Sequence, residues 1–567
     1  MRIGSIPTRR ASVDRRVAAG SEGDVRPTFT GKRDYVTDAP VRGTDARAVP
    51  TESAGRGRLC AVRIAALLLS LAAAAVACAD DPKLDSAAQK EAPTAFAAKE
   101  PAPVLQWGVG DGKDFWVPAS EIVAFELLLN RIDHYAVDDQ VYASPVSNLR
   151  ENLHRKWVVD NDAFATNQFL HPIQGSMYFG FARSAGLGFW TSFGYTMGGS
   201  LLWEEAGETT NPSINDQVAS GIGGVFLGEP LFRIASLLLE SGSSGEPGLL
   251  RQWAAAAISP PTGLNRLAFG KRFAGVFRSN DPAVFTRVDL GASLSTHYSS
   301  NVNVNADPSG PPAGQTLQRR EASADFTMAY GLPGKPEYTY ERPFDYFHFE
   351  FMATTANGFE TLFSRGLLFG TDYRIGANYR GIWGVYGTYA YVAPQIFRVS
   401  STGASLGTTG QWWLSRTVAL QGSALGGVGY GGGGVIHGAG VATAGPLGDG
   451  QRDYHYGVTP QALLALRLII GDRLSIDTTA RDYYISRFGA TESTGSENIA
   501  RADISITARI YNLHGITLRY SESQRDGRYA TLPTSHQSTG TISIGYTLLG
   551  QTRFGAVDWR PKSEGGP

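Results

Sequence analysis

Arg501-Ala-Asp-Ile-Ser-Ile-Thr-Ala-Arg-Ile-Tyr511, then Asn512-Leu-His-Gly515, then Ile516-Thr-Leu-Arg-Tyr520 is the stretch that decides the fold. Ala502, Ile504, Ile506, Ala508 and Ile510 fall on one face of an extended chain, and Asp503, Ser505, Thr507, Arg509 and Tyr511 on the other. Strict alternation over ten residues with a tight turn is the mark of paired, half-buried strands. The same period recurs upstream and downstream. Val288, Leu290, Ala292 and Leu294 alternate with Asp289, Gly291, Ser293 and Ser295. Ala322, Ala324, Phe326, Met328 and Tyr330 do so with Ser323, Asp325 and Thr327. Leu474, Ile476, Thr478 and Ala480 oppose Ser475, Asp477, Thr479 and Arg481, and Ile542, Ile544, Tyr546 and Leu548 close the series.

The connections are of two kinds. Those at 376–378, 414–416, 471–473 and 512–515 are tight, whereas 298–316, 431–453, 487–500 and 523–537 are long, polar and rich in Gly, Pro, Ser or Asp. Short turns alternating with long loops around ten-residue strands predict a transmembrane β-barrel of about 12 strands across 270–560. Closure gives every backbone polar group a partner, which lipid cannot supply. Tyr389, Tyr391, Trp412, Trp413, Tyr483 and Tyr484 are expected in the aromatic girdles. One departure is that Phe554 and Trp559 lie beyond the last strand, not at its end. The glycine run 429–434 lacks the lysine and the strand–helix setting of a phosphate loop and reads as a strand end or loop.

Composition agrees with an exported barrel. The chain of 567 residues has a formal net charge of -1, 68 glycines and 2 cysteines. Balanced charge argues against a dedicated nucleic-acid binder, and two cysteines build no disulfide scaffold. Residues 1–57 read as a disordered extension or a start codon placed too early. The apolar run 64–77 is too short to span a bilayer and carries a basic flank, so 58–79 reads as a signal peptide. Cleavage after Ala79, or lipidation of Cys78, would follow. Residues 80–117 form a linker, and 118–265 switch to helical spacing, with a stripe of Ile122, Phe125, Leu128 and Leu129. The fold class is therefore α+β, a helical domain followed by an antiparallel barrel.

The polar residues that stand out are crowded into the helical domain: Asp160, Asp162, His171, Arg183, Glu204, Glu208, Asp216, Glu229 and Arg233. Glu204 and Glu208 at i and i+4 would share a helix face and want a cation, a proton or a metal between them. Pro172 places His171 at a helix N-cap, near Asp160 or Asp162. Ser213 three residues before Asp216 is close to a capping box. The plain account is a buried polar network joining helices that approach through Gly175, Gly198, Gly199, Gly223, Gly224 and Gly228. The sharper one is a catalytic centre, or a metal site, of His171, Glu204, Glu208 and Asp216. Ser176, Ser200 or Ser213 beside His171 would make a hydrolase, without the G-x-S-x-G setting.

The order Asn167-Gln-x-x-His-Pro-x-x-Gly175, Ala182-Arg-Ser-x-Gly186, Gly199-Ser-Leu-x-Trp-Glu204 with Glu208, Pro212-Ser-Ile-Asn-Asp216 and Gly228-Glu-x-x-x-Arg233 resembles the bacterial family catalogued as domain of unknown function 3943. That resemblance covers about 120–240 and implies an exported envelope protein with a β-rich C-terminal region; it supplies no activity. The expectation is an outer-membrane protein whose helical domain lies on the periplasmic side or plugs the lumen. Its role would be structural or transport-related, with outer-membrane lipid and a small-molecule or lipid ligand as partners and no cofactor. The alternative is an envelope enzyme.

Overall fold

A computed structural model describes residues 112–136, 141–143, 146–160, 162–240, 247–300, 316–355, 357–436, 454–488, 495–529 and 534–560. The extension, signal segment and Cys78 lie outside the described residues. Twelve antiparallel strands close into a barrel in which every strand pairs with its sequence neighbours and β1 with β12. They are β1 (Val284–Ser300), β2 (Thr316–Tyr330), β3 (Phe347–Thr354), β4 (Gly358–Ile375), β5 (Tyr379–Val392) and β6 (Phe397–Trp413), then β7 (Val418–Val435), β8 (Tyr454–Ile470), β9 (Leu474–Ile485), β10 (Gly495–Tyr511), β11 (His514–Tyr529) and β12 (Ser535–Leu549).

The four tight turns read from the sequence all fall at one end of the barrel. Gly376 and Gly471 take positive φ there, the conformation such turns demand of a residue without a Cβ. The strand ends that flank 301–315, 437–453, 489–494 and 530–533 lie at the other end, as do the short connections 355–357 and 393–396. The glycine run is strand rather than loop: Gly429 to Gly434 pair with β6 and β8. At Gly432 an added Cβ would sit 2.8 Å from the Tyr456 ring, so the run admits large neighbours on the same wall.

Cα partners share a face, so the register sorts the wall into inside and outside. Leu290, Leu294, Ile504, Ile506, Ile516, Leu518, Ile542 and Ile544 all point outward and are exposed. Their neighbours along each strand, which face inside, are charged, hydroxyl or glycine residues such as Asp289, Ser293, Asp503, Thr507, Arg519 and Ser543. An apolar exterior around a polar interior is the lipid-facing pattern of a transmembrane barrel. Two of the six expected girdle residues obey it. Trp412 and Tyr484 are outward and exposed, whereas their neighbours Trp413 and Tyr483 point inward and are buried, because adjacent strand residues cannot share a face.

The helices precede the barrel: α1 (Trp116–Ala136), α2 (Val146–Asn152), α3 (His171–Ser184), α4 (Phe189–Leu202), α5 (Gly224–Glu240), α6 (Leu249–Ile258) and α7 (Pro260–Phe269). Three π-helical turns, Thr166–Leu170, Trp203–Gly207 and Gln217–Gly223, interrupt or extend them. The residues 214–240 that end in α5 are apolar enough to cross a membrane by composition, but 83% of their most apolar window is buried in the protein.

The helical domain neither plugs the lumen nor stands free. It is seated on the outer wall of β2 to β8. Phe351↔Leu362, Leu362↔Tyr391 and Ser364↔Tyr389 are outward pairs by register with the lipid-facing positions, yet all are buried. Ser364 Oγ donates to Phe226 O at 2.6 Å and Tyr389 OH to Gln168 O at 2.7 Å. The Phe169 and Tyr391 rings lie 5.2 Å apart, and those of Phe164 and Tyr454 5.1 Å. Tyr389 and Tyr391 are therefore docking residues, not girdle residues.

The domain is built inside out. The buried positions of α1 are Pro118, Ile122, Glu126 and Asn130, while Trp116, Val123, Leu127, Leu128 and Tyr135 are exposed. Leu128, expected in the buried stripe, faces outward at 58% exposure. Trp190, Leu250, Trp253 and Leu267 add to the same apolar exterior. Contiguous exposed apolar surface of this extent marks contact with lipid or a partner, and here it continues the barrel's own exterior.

Candidate functional site

The conspicuous polar residues do meet, but in two separate groups. In the first, His171 lies between Ser220 and Asp216: Nδ1 is 3.1 Å from Ser220 Oγ, and Nε2 is 3.6 Å from Asp216 Oδ2. Asn215 donates its amide to both Asp160 (2.8 Å) and Asp216 (3.0 Å), and Asn167 also donates to Asp160. Ser213 caps the turn Ile214–Asp216, its Oγ accepting from Asp216 N at 3.2 Å, as its spacing suggested. His171 is not itself an N-cap. The π-turn Thr166–Leu170 runs straight into α3, so the helix starts before Pro172.

Glu204 and Glu208 do not share a helix face. The π-turn ends at Gly207 and Glu208 is extended, at φ -128 and ψ 158. Glu204 Oε2 accepts from Ser213 N at 2.7 Å, while Glu208 accepts from Trp203 Nε1 and Thr210 Oγ1, each at 2.9 Å. Among the described residues no three His, Cys, Asp or Glu are gathered so as to hold a metal ion. Asp160, Glu204, Glu208 and Asp216 each accept from an N–H or O–H donor. Ser176 donates to Ile173 O within its own helix. The serine that reaches His171 is Ser220, which carries no recognisable motif around it.

The second group holds the domain to the barrel. Arg183 meets Glu229 through Nε (2.8 Å) and Nη2 (3.0 Å), and Arg233 Nε reaches the same carboxylate at 2.7 Å. Arg233 then spans to the β2–β3 connection, donating to Asp345 Oδ1 at 2.9 Å and Pro343 O at 2.7 Å. All four ionic groups are at most 2% exposed.

The lumen is a third polar region that composition did not announce. Arg287 and Arg467 meet Asp477, Arg519 meets Asp289 and Asp325, Arg481 meets Glu350, and Arg501 meets Glu360 and Asp503. Among these pairs lies a chamber of about 130 Å³. At each end of the barrel a described segment enters the lumen. At the tight-turn end the segment 550–560 folds back inside. Gln421 Nε2 donates to Gly555 O (2.7 Å), and Gln411 both donates to Val557 O (2.6 Å) and accepts from Val557 N (2.9 Å). Phe554 is fully buried there, which is why the chain's last aromatics lie beyond β12. At the long-loop end the turn 393–396 reaches across to β1 and β12, with Gln395 donating to Ser295 Oγ and Thr539 to Pro394 O.

Fold and site together define a closed, charge-lined transmembrane barrel with a helical domain on its outer wall. Residues 156–261 match the family described as "Domain of unknown function (DUF3943)". No curated protein matched the chain. Among solved structures, a mutant of the TodX monoaromatic hydrocarbon channel is 10% identical, covering 48% of this chain and 91% of its own, with a TM-score of 0.20. A Pseudomonas aeruginosa FadL homologue is 12% identical, covering 47% and 92%, also at 0.20. The translocator domain of the autotransporter NalP from Neisseria meningitidis is 13% identical, covering 52% and 96%, again at 0.20.

Proposed function

We propose that this chain is an outer-membrane transport protein held shut by its own C-terminal segment, with the helical domain lying in the lipid beside the barrel. The observation that carries the reading is the chamber of about 130 Å³ among lumen charges, in a barrel entered by a turn at one end and by a folded-back tail at the other. A barrel that served only as an anchor would need neither cap. The tail is held by hydrogen bonds from Gln411, Trp413 and Gln421 and by the packing of Phe554 and Val557 among Phe285, Leu332 and Trp413. The apolar exterior of barrel and helices supports residence in the outer membrane, with its lipid as a partner. The transported species would be small and polar, to match the lumen.

The test is conductance in planar bilayers. The intact chain should rest almost closed, and removal of 551–567 should give openings many-fold larger and more frequent while β12 stays whole. If the truncated barrel, still heat-modifiable on gels, conducts no better than the intact one, the reading fails.

One arrangement supports the enzymatic alternative. His171 between Ser220 and Asp216 has the composition of a nucleophile, base and orienting acid. Under that reading Ser220→Ala abolishes lipid-ester hydrolysis by the purified protein without loosening the fold; no hydrolysis by the intact chain removes it.

A further inference from the structure

The lumen arginines that line the chamber form pairs with carboxylates, with one exception. Arg287 and Arg467 share Asp477, Arg481 has Glu350, and Arg519 has Asp325. Arg365 of β4 has no carboxylate within ion-pair distance among the described residues. It sits beside inward-facing His348 in the register and is 3% exposed. Its Nη2 donates to Ser423 Oγ (3.0 Å) and Tyr346 OH (3.3 Å), both neutral groups. Nε and Nη1 are buried without any partner. A guanidinium does not shed its charge, and an uncompensated buried cation is costly. The same side chain lines the chamber, together with Ser423, Gln421 and Thr409.

The geometry points to a binding site for one small carboxylate anion in this chamber, with Arg365 as its counter-charge. A carboxylate carries the single negative charge that one arginine lacks and the oxygens that Nε and Nη1 would donate to. Ser423 and Thr409 hydroxyls stand ready around it. A water molecule occupies roughly 10–15 Å³ by the measure that gives this chamber about 130 Å³, so an anion of acetate size fits and a long acyl chain does not. The site stands whether or not the barrel conducts, since binding and conductance are read separately.

Equilibrium dialysis of radiolabelled acetate against the full chain in detergent micelles, at fixed ionic strength, tests it. One saturable site per chain is expected. Arg365→Met should weaken it at least tenfold in a barrel that still shows heat-shifted migration on gels. Ala465→Leu, which narrows the chamber and leaves Arg365 in place, should weaken it as well, and it decides the matter if the first variant does not fold. Three results would overturn the site: no saturable uptake by the intact chain, unchanged affinity in either folded variant, or displacement of acetate by equimolar chloride. Conductance without acetate binding would sink this site and leave the transport reading; binding without conductance would do the reverse.

Discussion

Replacing Glu229 by Ala is expected to release the helical domain from the barrel. Glu229 is fully buried and takes three N–H donors from Arg183 and Arg233. Without it two guanidinium groups, each 2% exposed, stay charged in a dry interior. Removing one partner of such a network costs about 3–5 kcal/mol, because the remaining charges are uncompensated. Arg233 would keep Asp345, whereas Arg183 would lose the carboxylate that takes two of its N–H groups and keep its bond to the neutral Leu187 carbonyl. Limited proteolysis in detergent should show cleavage within 116–269 that the parent resists, while the barrel core survives. Glu229→Gln retains acceptors and some geometry and should fall between the two. A Glu229→Ala chain as protease-resistant as the parent would refute the anchoring role.

A single methyl group at Gly175 should be nearly as damaging. An added Cβ there would collide with the backbone carbonyl of Ser220 in the π-turn before α5. At Gly224, directly opposite, it would lie 2.5 Å from the Gly175 backbone. Backbone has no rotamer to escape into, so Gly175→Ala must force α3 and α5 apart. Overpacking typically costs about 1–3 kcal/mol, and a backbone clash belongs at the upper end or above it. The shift would also move His171 and Ser220 relative to each other. Gly194 and Gly198, on α4, meet nothing within 4 Å. Alanine at either should be neutral or add up to about 1 kcal/mol through helix propensity. Denaturation midpoints of the four variants in one detergent should split into two pairs; a uniform set would sink the argument. Gly198, counted among the close-approach glycines on composition, does not belong with them.

Much of the barrel was legible because its period is local. Ala502 to Ile510 alternate whatever else the chain does, and tight turns such as 471–473 announce antiparallel pairing. The strand number followed from counting such runs. The capping serine at 213 was legible for the same reason, as it acts on a neighbour three residues away. The partnerships of His171 were not. Ser220 lies 49 residues from it, in a π-turn that no sequence period signals. Nor could Glu204 and Glu208 be separated without knowing that their helix widens and stops between them. Arg365 looked like any strand arginine until the register showed which of its neighbours carried a charge.

Sequence alone determined the strands, their two faces and the polar inventory of the helical domain, since each depends on residues a few positions apart. Only the tertiary structure decided where that domain sits. Leu128 and Trp253 are apolar whether they are bound for a protein core or for lipid, and hydrophobic spacing cannot say which solvent surrounds the helix. The packed wall supplied the answer. Tyr389, Tyr391 and Gly387 face outward like the lipid-exposed positions, and they are covered by Phe169, Gln168 and Phe226. The lumen is likewise entered by groups distant in sequence, with Gln411 meeting Val557 across 146 positions. Local physics wrote the elements; closure of the barrel decided which of them meet.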